Sequence, residues 1–160
     1  MKRVLFVCLG NICRSPAAEG IMQNFVKDAE LEDRIFCDSA GTIGYHSGQK
    51  ADARMREHAR GRGYELLSRS RQFETPDDFK NFDYIVVMDE QNLKDVRSFD
   101  ENNQYQDKVF LMTDFCTKIK ADHVPDPYYD GDAGFERVLD IVEDGCGGLL
   151  TRIKQELKGS

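Results

Sequence analysis

The stretch Val4-Leu5-Phe6-Val7-Cys8-Leu9-Gly10-Asn11-Ile12-Cys13-Arg14-Ser15-Pro16 decides how this chain is read. Residues 3–8 read as one apolar run, the pattern of a strand buried on both faces. Ser15 can serve as N-cap and Pro16 as first helical residue of the helix that follows. Between Cys8 and Arg14 lie five residues, enough for a tight loop around one tetrahedral anion. Gly10 and Asn11 suit the left-handed backbone such a curl requires. The amides of Leu9 to Arg14 would then point inward, and the helix dipole would add positive potential. Arg14 would offer two parallel donors to phosphoryl oxygens, a fork that lysine cannot match. The same field favours a thiolate at Cys8, to which Ser15 can donate its hydroxyl. Taken alone, the Cys-Arg spacing also fits a buried cysteine beside a surface arginine. The strand before it and Ser-Pro after it point instead to a thiolate that attacks phosphate.

Working outward, residues 34–39, 82–88 and 108–112 read as further strands. Residues 51–62 read as a polar, exposed helix closed by Gly63, and residues 90–99 as another helix. The clearest helix is the last. Phe135, Val138, Leu139, Val142, Cys146, Leu149, Leu150, Ile153 and Leu157 form an apolar stripe at three- and four-residue steps. Gly145, Gly147 and Gly148 imply a bend or close packing there. Strands alternating with helices predict an α/β fold of three layers: a four-stranded parallel sheet, helices on both faces, and an N-terminal phosphate-binding loop. With no repeat, linker or low-complexity tract, residues 1–160 are read as one domain.

The 160 residues are 40% hydrophobic and carry 22 basic against 29 acidic side chains, net -7. Such a surface repels polyanions, so nucleic acid is not an expected partner, although a locally positive pocket can hold a small anion. Five cysteines in no regular ladder argue against a secreted disulfide scaffold. Met1-Lys2-Arg3 before the apolar run looks like the start of a signal peptide, but the run is too short. No segment approaches the ~20 apolar residues of a membrane span. The expectation is a reduced, cytoplasmic protein, a monomer or weak dimer, with no membrane partner. The three histidines (46, 58 and 123) lack ligand spacing, so no metal is assigned.

A leaving phenolate with a pKa near ~10 needs a proton as the P–O bond breaks. Asp126 sits in Val124-Pro125-Asp126-Pro127-Tyr128-Tyr129, where two prolines stiffen the loop that presents it. A turn aspartate between prolines is the plainer reading. Asp130 and Asp132 are rival acids, with Gly131 marking a solvated turn.

Cys8–Ser15 with Pro16-Ala17-Ala18-Glu19, Asp38-Ser39-Ala40-Gly41-Thr42, Phe82-Asp83-Tyr84 with Met88-Asp89, and Asp126-Pro127-Tyr128-Tyr129 together resemble the low-molecular-weight protein tyrosine phosphatases. The resemblance spans essentially the whole chain. It implies hydrolysis of phosphotyrosine and aryl phosphates through a cysteinyl-phosphate, with phosphotyrosine-containing proteins as partners and without metal or organic cofactor. It further implies Cys8 as nucleophile, Arg14 as phosphate clamp and Asp126 as acid, then base. Leu9, Gly10, Asn11, Ile12, Cys13 and Ser15 would form the binding loop, with Ser39 and Tyr129 in support. Tyr45 and Tyr128 would be aromatic walls of the cleft, and Tyr128 and Tyr129 match sites of regulatory phosphorylation. Where relatives often carry a histidine supporting the loop asparagine, this chain has Ser68, which puts that support in question. A reversible Cys8–Cys13 disulfide is also implied. Cys37, Cys116 and Cys146 read as core, and the basic residues 54–62, Arg69 and Arg71 as solvated faces, or as guides for phosphoprotein substrates. Rival readings are an arsenate reductase, which needs closely spaced relay cysteines, and an arginine phosphatase, which resembles this loop with threonine at Ile12. A phosphocarrier is a third, and it would need neither Arg14 nor an acid loop.

Overall fold

The side chains of the first strand alternate between two cores, and that alternation organises the molecule. In a computed structural model describing residues 1–159, β1 (Lys2–Cys8) sends Val4, Phe6 and Cys8 into one apolar cluster and Leu5 and Val7 into another. β3 (Tyr84–Val87) alternates in the same way. With β2 (Ile35–Gly41) and β4 (Val109–Leu111) they form a fully parallel sheet of order β2-β1-β3-β4. On the first face lie α1 (Arg14–Asp28), α2 (Ala53–Arg60) and α5 (Gly131–Lys158); α3 (Asp77–Asn81) and α4 (Glu90–Phe99) cover the second. Fully buried side chains such as Phe6, Phe79 and Phe135 each contribute roughly 1.5–3 kcal/mol to that packing.

The four expected strands form within two residues of the expected limits. One local reading needs correction. Ser15 does not cap α1: Cys13 takes the N-cap position, without a side-chain bond, and Ser15 lies inside the first turn. Of the two expectations for the glycines of α5, close packing holds, within a helix of 28 continuous residues. These glycines allow close approach: a Cβ on Gly148 would lie 1.8 Å from the Phe115 carbonyl oxygen, and one on Gly145 2.7 Å from Met112 Cε. The short α3 was not anticipated, because its five residues are too few to show a period.

In this strand order the chain leaves β1 toward β2 on one side and later returns to β3 on the other. The switch point therefore lies between β1 and β3, where parallel α/β sheets place ligands beyond the strand C-termini. Cys8 ends β1, and Met88 and Asp89 follow β3. The Val124 amide donates to the Met88 carbonyl at 2.8 Å, bringing the loop that carries Asp126 to the same place.

Candidate active site

From Leu9 to Cys13 the chain curls with its carbonyls turned outward. Leu9 O accepts from the Ile43 amide (3.1 Å), Gly10 O from Ser70 Oγ (3.0 Å) and Ile12 O from the Asp52 amide (2.7 Å). Across a trans peptide the next N–H points the opposite way. The amides of Gly10, Asn11 and Cys13 therefore face the interior of the curl and make an anion nest beside the α1 N-terminus. Asn11 has the left-handed backbone expected of it, φ 57°. Gly10 is needed for space instead, as its Cβ would lie 2.9 Å from the His46 ring.

The Asn11 amide is locked from every side. Its Oδ1 accepts from the Arg71 amide (3.0 Å), while Nδ2 donates to Ser15 Oγ (2.7 Å) and Ser39 Oγ (2.9 Å). Ser39 Oγ donates in turn to Glu19 Oε1 at 2.5 Å. Burial pushes the Glu19 carboxyl up, against the hydrogen bonds of Ser39, Ser68 and Gln23. Ser15, Ser39 and the Arg71 backbone thus hold the asparagine, and Glu19 holds Ser39 in turn. The support questioned from the sequence is present by another route.

Ser15 Oγ lies 3.0 Å from Cys8 Sγ. The hydroxyl accepts from Asn11, and its one proton faces both the sulfur and, at 3.5 Å, the Ala40 carbonyl. Cys8 and Arg14 are each only 3% exposed. Arg14 Nη1 donates to Asp89 Oδ2 (2.6 Å) and to the Val124 carbonyl (3.0 Å). Burial opposes the Arg14 charge, but Cys8, Asp89 and Asp126 hold its pKa above the ordinary value. These contacts use Nη1 and leave the Nε–Nη2 edge as a planar fork able to meet an anion. Arg14 Nη2 stands 3.9 Å from Asp126 Oδ2. Cys8, Arg14 and Asp126 line one pocket of about 240 Å³ with Leu9, Gly10, Ile12, Cys13, His46, Tyr128 and Tyr129.

Over residues 3–159 the chain matches the model of the low molecular weight phosphotyrosine protein phosphatases. It is 50% identical over 155 residues to a putative low molecular weight protein-tyrosine-phosphatase of Synechocystis sp., covering 97% of this chain and 98% of that one. It is 40% identical to the human low molecular weight phosphotyrosine protein phosphatase, over 94% of this chain and 95% of that one. A protein tyrosine phosphatase of Entamoeba histolytica, solved with Hepes in its active site, superposes with TM-score 0.94 at 49% identity, covering 98% of this chain and 99% of that one. The chain belongs to the low molecular weight phosphotyrosine protein phosphatase family.

Set in that phosphatase fold, most of the site residues named from the sequence converge, with some exceptions. Tyr45 does not line the pocket: it is 81% exposed and packs edge-on against the His46 ring, which takes the wall position. Asp130 and Asp132 stay outside, and Asp132 pairs with His58 at 3.1 Å. Tyr129, expected in support, stands at the rim and is 93% exposed. The sequence reading gave no role to Asp89, Glu19, Asp52 or Ser70. For Asp89 a signal existed, a carboxylate just past the end of a buried strand. The others act through contacts distant in the chain. Burial pushes the Cys37 thiol up to about 12, the Cys116 thiol up to about 11, and the Cys146 thiol well up too. Cys116 and Cys146 bond backbone carbonyls of Ile141 and Ala18, so they pack in the core rather than relay to Cys8. Much of the basic run is spent on pairs, Arg62 with Glu136, Asp140 and Glu143, and Arg71 with Asp38 and Asp78.

Proposed function

We propose that Cys8, Arg14 and Asp126 carry out the phosphotyrosine hydrolysis of this protein tyrosine phosphatase. Cys8 Sγ attacks phosphorus, the S–P bond forms as the aryl P–O bond breaks, and Asp126 gives its proton to the leaving phenolate oxygen. Asp126, now a carboxylate, takes a proton from water as that water attacks the cysteinyl-phosphate. The S–P bond breaks, phosphate leaves, and the thiolate is restored. Arg14 and the inward amides meet the equatorial oxygens, where charge gathers in each transition state. Tyr128 and His46 flank the entering ring. The observation that carries this reading is the convergence of one nucleophile, one guanidinium and one carboxylate on a single pocket.

The test is phosphate release from a phosphotyrosyl peptide in the presence of chelator, with phosphoarginine as the competing substrate. Cys8→Ser should release none yet still bind inorganic phosphate; turnover by that variant, or a preference for phosphoarginine, would overturn the assignment. Phosphotyrosine-containing proteins are the substrates this reading retains, in a reduced, cytoplasmic setting.

The same loop supports a redox safeguard. Burial pushes the Cys13 thiol up, so it stays protonated beside Cys8, and both are free thiols in this structure. Peroxide would convert Cys8 to a sulfenic acid, and Cys13 would condense with it, releasing water and forming a disulfide. Mass spectrometry after mild peroxide should find that bridge, reversed by dithiothreitol. Irreversible sulfonate at Cys8 with no bridge would rule it out.

A further inference from the structure

Asp126 sits between two prolines, so neither neighbour has an N–H with which to anchor the segment. Two residues away on each side, a guanidinium group holds the backbone. Arg14 Nη1 donates to the Val124 carbonyl at 3.0 Å, and Arg54 Nη1 donates to the Tyr128 carbonyl at 3.0 Å. Tyr128 is doubly engaged, because its amide donates to Asp126 Oδ1 at 3.1 Å. The Arg54 carbonyl bond therefore fixes the residue that orients the acid.

Arg54 is itself fixed. Its Nε and Nη2 donate to the two carboxylate oxygens of Asp52 at 3.2 and 3.1 Å, and its guanidinium lies over the Tyr128 ring (5.1 Å) and the Phe135 ring (4.8 Å). Asp52 meanwhile gives its backbone amide to Ile12 O in the phosphate loop at 2.7 Å. One continuous strap thus runs from the phosphate loop through Asp52 and Arg54 to the acid loop. Arg54 does not line the pocket, so it is not placed to touch the phosphate.

We propose that Arg54, oriented by Asp52, is a positioning residue that sets Asp126 against the leaving oxygen. This rests on Asp126 being the general acid. Only the planar fork spans a carboxylate and a carbonyl together, so lysine is no substitute. The Ile12 contact is made by backbone and survives substitution of Arg54.

The experiment compares kcat/KM for phenyl phosphate, whose leaving group needs a proton, with that for 2,4-dinitrophenyl phosphate, whose leaving group does not. Arg54→Met keeps the aliphatic bulk and removes the donors. It should lower kcat/KM on phenyl phosphate about tenfold and on the dinitrophenyl ester by less than about twofold, the scale of a misplaced acid. Inhibition by inorganic phosphate should hold within about twofold, and Arg54→Lys should not rescue the phenyl ester. Placed on Asp126→Asn, Arg54→Met should cost almost nothing more, since there is no acid left to aim. Equal losses on both esters, or additive losses in the double variant, would overturn the proposal. If Asp126→Asn itself fails to separate the two esters, the acid assignment falls with it. If Asp126→Asn separates them and Arg54→Met does not, the strap alone is wrong.

Discussion

Residues 8–15 and residues 124–130 form opposite walls of one pocket, and they are held in different ways. In the first wall Asn11 is 1% exposed and Ser15 0%, and the carbonyls of Leu9, Gly10 and Ile12 and the Asn11 side-chain amide are all hydrogen-bonded. In the second, the Asp126 side chain is 49% exposed and Tyr129 93%, with two guanidinium groups gripping the backbone from either side. The difference matches the work proposed for each wall. A loop that must hold donors around a developing charge gains from being locked before substrate arrives. A loop that must admit an aromatic ring, give up a proton and take another from water has to stay open to solvent. Binding should therefore fail with damage to the first wall and leaving-group chemistry with damage to the second.

The largest effect belongs to Arg14, which serves both walls. Arg14→Lys keeps a positive charge but loses the fork that meets the phosphate and the bonds to Asp89 and Val124. Its kcat/KM should fall by at least the ~10²–10³ that follows loss of a single oxyanion donor. Unlike Arg54→Met, it should do so on phenyl and dinitrophenyl esters alike. A loss confined to phenyl phosphate would place Arg14 with the acid loop and erase the contrast.

Asn11 tests how far the first wall is locked. Asn11→Ala strips bonds from Arg71, Ser15 and Ser39 and puts a non-glycine, non-asparagine residue at φ 57°. Buried groups left without partners cost about 1–3 kcal/mol of stability. Loosening of the nest should lower kcat/KM about tenfold on every ester. Urea denaturation with the same two esters checks both. Unchanged stability would show that the network around the asparagine is redundant.

How much of this was legible in the chain depended on distance along it. The proposed phosphate loop was legible because strand, cysteine, turn residues, arginine and helix start are consecutive, and local chemistry alone fixes their relation. Asp126 could be named because its prolines are adjacent and Asp126-Pro127-Tyr128-Tyr129 resembles the family's motif; the structure adds that the loop docked by Val124 on Met88 brings Asp126, and neither Asp130 nor Asp132, to the pocket. Asp52 and Arg54 read as part of a polar helix, because their partners Ile12 and Tyr128 lie far off in sequence. Ser15 was misread as a cap for a related reason. Serine before proline is what a cap looks like, and only the tertiary position of Cys8 and Asn11 turns its hydroxyl elsewhere. Tyr45 and His46 show the limit: adjacent aromatic residues cannot be sorted into wall and buttress until the backbone direction is known.

The smallest effect concerns how the second wall is moored at its far end, where the acid loop enters α5. His58 on α2 bonds Glu136 at 2.5 Å and Asp132 at 3.1 Å and stacks on Phe135, whose other neighbour is Arg54. Partial burial works against the imidazolium, but the two carboxylates dominate and raise its pKa above the ordinary value. A histidine raised on folding contributes stability that is fully present below its unfolded pKa, near ~6.5, and is lost as pH climbs through the higher folded value. Wild type should therefore exceed His58→Gln in unfolding free energy by the most near pH 6, and by less near pH 9. The whole change should stay within about 1 kcal/mol, since the pairs are close to solvent. Urea denaturation of both proteins at the two pH values decides it, and a gap that stays constant or widens toward pH 9 would sink the idea. The phosphate loop is moored to no histidine: its titrating neighbour is Glu19, a carboxyl raised by burial and reached through Ser39, so the cost of Asn11→Ala should not follow the imidazolium's course between the two pH values. If its cost tracked pH as that of His58→Gln does, the two walls would not be held differently after all.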